Sequence, residues 1–142
     1  MQELLIDRDN YRNTKIVKSD SRPLADGEVR VAIDKYGLTA NNVSYAVSGD
    51  MIGYWKYYPV ESGDGVNWGK VPVWGMADIL ESKCDGIEVR ERIYGFLPMA
   101  TEVIMTPGRV RDGSFVDVTE HRQALPELYN GYNRTAGEPQ IF

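Results

Sequence analysis

The chain is poor in residues that hold metals or form cross-links. Its 142 residues include one cysteine, Cys84, and one histidine, His121. A single thiol excludes an intrachain disulfide and any zinc site built on paired cysteines. A lone imidazole with no Cys-His or Ser-His-Asp context in sequence reads as a surface or linker histidine. Cys84 precedes Asp85-Gly86, and a neighbouring carboxylate keeps a thiol protonated rather than reactive. Basic runs are absent as well. Sixteen Lys and Arg against 21 Asp and Glu give a net charge of -5, which argues against nucleic acid or an anionic membrane as partner. No apolar block is long enough for a signal peptide or a membrane span, and MQELLIDRDNYRN carries acidic residues early, so a reducing, cytoplasmic setting is expected. No G-x-G-x-x-G follows a strand, which leaves these residues without the backbone cradle for a pyrophosphate.

What is present points to strands and turns. Fourteen Gly, seven Pro and 42% hydrophobic residues suit one soluble, β-rich domain. In GEVRVAIDKYG, residues 27–37, Val29, Val31 and Ile33 alternate with Glu28, Arg30 and Asp34, the period of a half-buried strand. Pro23 to Gly27 supplies turn chemistry for a hairpin between Lys15–Lys18 and that strand, and Leu4 to Ile6 adds a short strand. Thr39 can cap and Gly49 can terminate one short helix. Asp50 to Lys70 reads as a long irregular connection carrying the aromatic cluster Tyr54-Trp55-Lys56-Tyr57-Tyr58. Strands are predicted again over Val71–Glu81, Glu91–Gly95 and Thr101–Met105, with a turn at Asp85-Gly86. Arg111 to Ser114 is predicted as a tight hairpin with Gly113 at positive φ. Residues after Val118 change in composition, and NRTAGEPQIF closes no obvious element.

The order PLADGEVRVAIDKYGL, short helix, loop, VPVWGMADILES, IEVRERIYGF and MATEVIMTP, over roughly residues 20–107, resembles the catalytic domain of the medium-chain dehydrogenase/reductase superfamily, which includes alcohol dehydrogenases and quinone oxidoreductases. The segment HRQALPELYNGYNR looks like an uncharacterised branch of it. The resemblance implies a mainly β fold, a partly open barrel like the GroES co-chaperonin with one or two short helices. It further implies a barrel over residues 1–120, followed by a C-terminal extension, 121–142, leading toward a Rossmann domain that these residues lack. NAD or NADP would then be bound only in a protein carrying that domain, and none by these residues alone. Zinc-dependent relatives place thiolate and Gly-His-Glu ligands where this sequence has Thr39 and Gly75-Met76-Ala77; a hydroxyl, a thioether and a methyl do not replace them, so no metal is expected.

In zinc-free relatives polar groups at the mouth of the barrel orient the substrate carbonyl. Asn41, Asn42 and Tyr45 are the candidates for that role, since an amide or a phenol donates to a developing oxyanion; equally, the Asn pair can cap the helix and Tyr45 can pack in the core. Tyr54, Trp55, Tyr57 and Trp74 are candidates for a flat or apolar small-molecule substrate, or for packing a loop onto the barrel. Two functions follow: the substrate-binding half of a zinc-independent NAD(P)H-dependent oxidoreductase, inactive alone, or a binding or scaffold domain whose exposed edge or apolar surface supports self-association.

Overall fold

In the computed structural model, which describes residues 1–137, ten strands form two sheets. A three-stranded sheet consists of β1 (Gln2–Asp7) between β2 (Asn10–Lys18) and β4 (Trp68–Gly69). The main sheet has seven strands: β3 (Val29–Gly37), β5 (Pro72–Ser82), β6 (Arg92–Pro98), β7 (Glu102–Met105), β8 (Pro107–Gly108), β9 (Ser114–Asp117) and β10 (Gly131–Arg134). Its order is β7-β3-β5-β6-β10-β9-β8. The edge strands β7 and β8 are separated in the chain by Thr106 alone, so the sheet must curl until its two edges adjoin. The result is a mainly β, partly open barrel with two short helices, α1 (Ala40–Val47) and α2 (Gly49–Ile52).

The alternation in the sequence decides which face is inside. Val29 and Val31 on β3, Val73, Ala77 and Ile79 on β5, and Ile93 and Leu97 on β6 are fully or almost fully buried and make one core with Met105, Phe115 and Tyr132. Two register shifts between β3 and β5 interrupt the pairing, one between Arg30 and Val31 and one between Ile33 and Lys35. Such bulges bend and twist a strand, which helps close a barrel.

Several expectations change. The hairpin predicted before β3 does not form: β2 pairs with β1, and residues 19–28 cross from one sheet to the other. Gly49 does not end the helical segment but begins α2. It is a glycine because the ring of Trp55 lies where its Cβ would stand, about 2.1 Å away. Gly53, at φ 88°, is the left-handed terminator. The connection from Asp50 to Lys70 holds α2, a helical turn over Tyr54–Lys56 and β4. Arg111 N–H does bond Ser114 O, but the positive-φ residue beside this turn is Arg109, not Gly113. The segment read as an extension supplies β10, which sits between β6 and β9 inside the main sheet. Of NRTAGEPQIF, Asn133 and Arg134 belong to β10, and residues 138–142 lie outside the described part. No helix of the described residues is long and apolar enough to cross a membrane.

Candidate functional site: an aromatic layer outside the barrel

Residues 74 and 96, which face away from the core just described, should meet solvent, yet Phe96 is completely buried. Its cover is a second layer of aromatic rings. The left-handed turn at Gly53 sends the chain into one helical turn, and the spacing of three residues puts Tyr54 and Tyr57 on one side of it. Tyr57 packs edge-on against Phe96 at 5.2 Å and Tyr54 at 6.3 Å. Tyr129 closes the layer from the C-terminal side, 4.8 Å from Phe96 and 5.6 Å from Tyr54, and the Tyr54 and Tyr129 hydroxyls bond each other at 3.1 Å. Tyr45 enters from α1, 4.5 Å from Tyr54. Trp74 lies at the open edge, 5.0 Å from Phe96 and stacked at 22° on Tyr94, which is 39% exposed. The layer therefore runs from a buried end at Tyr57 to an accessible aromatic platform at Trp74 and Tyr94.

The hydroxyls of this layer differ in what they have left to give. Trp74 Nε1 donates to Tyr45 Oη at 3.3 Å. That bond occupies an acceptor site of the phenol and leaves its own O–H proton without an acceptor among the described residues. The Tyr57 hydroxyl is buried and has no partner among them at all; burial pushes its pKa up to about 12, with Arg122 opposing. Tyr54 is raised further, first by its bond to Tyr129 and then by burial. Tyr54 and Tyr57 are therefore hydrogen-bond groups rather than bases at neutral pH.

Of the residues expected from sequence, Tyr45, Tyr54, Tyr57 and Trp74 meet in this layer. Asn41 is exposed and lies four residues before Tyr45, hence on the same side of α1. Asn42 is committed elsewhere. Its Oδ1 accepts from Thr39 N–H at 2.7 Å and its Nδ2 donates to Pro72 O at 3.0 Å, so the side chain closes a capping box and ties α1 to β5. Trp55 turns the other way, into the barrel core, beneath Arg8 and against Gly49 and Gly69. Thr39 is the helix cap, and Met76 is buried. The described residues contain no cluster of three or more His, Cys, Asp or Glu side chains placed to hold a metal.

Three residues of the layer, Tyr94, Phe96 and Tyr129, were not expected from sequence. Tyr94 and Phe96 follow from period 2, since they pair with Met76 and Trp74 across the β5–β6 ladder. Tyr129 has no such signal. Neither has Arg122, which sits fully buried behind Tyr57. Its guanidinium donates to Asp117 at 2.9 Å, Tyr132 Oη at 2.8 Å, Asn130 Oδ1 at 2.9 Å and Tyr129 O at 2.7 Å. Burial alone would push Arg122 down, but Tyr58, Tyr132 and Asp117 around it hold it above its ordinary value. Tyr58 and Tyr132 in turn donate to Phe96 O. Each nitrogen of the guanidinium is engaged, so its part is to hold the aromatic layer from behind.

A family model described as "Protein of unknown function (DUF2855)" matches residues 36–141. That range takes in the end of β3, α1, the aromatic segment and β10. No curated protein matches the chain.

Proposed function

We propose that this chain, which belongs to the DUF2855 family, is the substrate-binding unit of a zinc-independent NAD(P)H-dependent oxidoreductase of the quinone or enoyl reductase type, with the partly exposed face of Tyr45, Trp74 and Tyr94 as its substrate site. The observation that carries the reading is the Tyr45 hydroxyl, fixed by Trp74 Nε1 at the edge of an accessible aromatic platform with its own proton free. A flat conjugated carbonyl compound stacks on Trp74, and its oxygen receives the Tyr45 proton donor. Asn41, one turn earlier on α1, is a second donor on that side.

The residues of the chain do not fit the nucleotide itself. There is no glycine-rich phosphate cradle, and the N-terminus of α1 is closed by its own capping box. Hydride chemistry therefore belongs to a nucleotide-binding domain, and these residues bind and orient the acceptor.

Tryptophan fluorescence titration of the chain with a planar quinone or enone tests the reading. Binding is expected, with Tyr45→Phe weakening it about five- to tenfold through the loss of one hydrogen bond and Trp74→Ala weakening it more. Calorimetry with NADPH is expected to show no heat of binding. NADPH binding by these residues, or a conjugated carbonyl affinity that ignores Tyr45→Phe, would reject it. The second reading, a binding or scaffold domain, draws its support from the exposed apolar face of α1 and α2.

A further inference from the structure

The outer face of the α1–α2 segment is apolar, exposed and uncharged. Leu38, Val43, Val47, Met51 and Ile52 are 67, 63, 65, 90 and 53% exposed. Val43, Val47 and Met51 recur every four residues, so they form one stripe along the helical segment, which is kinked at Ser48. Asp50 is the one charged residue between Leu38 and Trp55, and it is paired with Arg8. Other exposed aliphatic residues, Ile16, Leu80, Val89 and Leu128, are spread over separate parts of the chain, as on any soluble protein. Five side chains of this size present on the order of 500 Å2 of apolar surface, at the upper end for a surface that no partner covers. Doubled across a two-fold contact that is about 1,000 Å2, which reaches the floor for a specific interface.

The stripe also carries its own complement. At its N-terminal end an apolar slot of about 210 Å3 is walled by Leu38, Val43, Ala46, Ile6, Val71 and Met99. At its C-terminal end stands Met51, unbranched and the most exposed of the five, a side chain able to fill an irregular gap. Slot and methionine lie about two helical turns apart along one segment. A two-fold rotation that sets two such segments antiparallel places each Met51 over the slot of the other copy, a contact that is self-complementary and closes. An interface of this kind pairs no charges, so the absence of any free charge on the stripe suits it.

We propose that this face is a homodimer interface, occupied by the same face of a second copy of this chain, with Met51 of each in the slot of the other. Sedimentation equilibrium of the whole chain between about 1 and 100 µM is expected to show a monomer–dimer equilibrium. Val47→Asp puts a carboxylate in the centre of the contact and is expected to raise the dissociation constant at least tenfold. Leu80→Asp, on β5, is expected to leave it unchanged, and thermal melts of both variants check that the fold is kept. Register is read by oxidative cross-linking in a Cys84→Ser background, where a mixture of Val43→Cys and Met51→Cys chains is expected to form the mixed cross-link in preference to either self-pair. A monomer across the whole range, a dimer indifferent to Val47→Asp, or self-pairs in place of the mixed product would each overturn the proposal.

Discussion

Arg122 shows how far one residue can organise a region. A guanidinium with no solvent exposure survives only if every donor is used and a counter-charge is at hand. Here Asp117, itself 3% exposed, supplies the charge, and two phenols, an amide and a carbonyl supply the remaining acceptors. Removing the cation leaves Asp117 buried and uncompensated. Arg122→Met is therefore expected to destabilise the protein by about 3–5 kcal/mol, measured by urea denaturation, and adding Asp117→Asn is expected to recover part of the loss. A cost below about 1 kcal/mol, the range of a surface pair, would mean that the guanidinium reaches water. Nothing in the sequence marks this residue. In HRQALPELYN an arginine reads as solvated, and its burial depends on partners 64 residues upstream and ten downstream.

At the level of elements, α1 separates two roles that the sequence leaves open for its asparagines. Asn42 spends both ends of its amide on structure, Thr39 N–H and Pro72 O, whereas Asn41 is exposed. Thr39→Ala is expected to cost about 1 kcal/mol as an ordinary cap loss. Asn42→Ala is expected to cost about 1–3 kcal/mol because a buried carbonyl loses its donor as well, while Asn41→Ala stays within about 0.5 kcal/mol. Thermal and urea unfolding of the three variants check the ranking; equal effects for Asn41 and Asn42 would contradict it. The strands were legible because alternation is a local signal: β3 and β5 fall where Val29-Val31-Ile33 and the Val71–Glu81 run indicate. The helix end was not, since a glycine reads alike whether it ends a helix or admits a neighbour, and only Trp55 shows that Gly49 does the latter. β10 escaped for the same reason. Its four residues, GYNR, have one buried position, Tyr132, and their strand character comes from β6 and β9 on either side. In the aromatic layer, strand period accounts for Tyr94 and Phe96, while the convergence of α1, the 54–58 segment and Tyr129 is set by the tertiary fold.

Considered as a whole, the molecule has a mainly aliphatic core inside the barrel and an aromatic layer outside it, joined by Tyr132, which lies in the first and reaches the network behind the second. Tyr54, Tyr57, Tyr58 and Tyr132 are all held above the ordinary tyrosine value, Tyr54 chiefly by its bond to Tyr129 and the other three chiefly by burial. A group whose pKa is raised by folding favours the folded state while it stays protonated. That contribution is complete below the unfolded tyrosine value of about 10 and is lost as pH climbs toward the folded values, about 12 for Tyr57. Four such groups in contact make the loss cooperative. Alkaline titration is expected to release the phenolate absorbance of four of the nine tyrosines in one step that coincides with the collapse of the near-ultraviolet circular dichroism of the packed rings. Tyr57→Phe should reduce that step to three without lowering stability at neutral pH, because the hydroxyl it removes is buried and unpartnered. If instead all nine phenols ionise while the dichroism persists, the aromatic layer is open to water, and the platform at Trp74 and Tyr94 loses the rigid backing that the proposed substrate site requires.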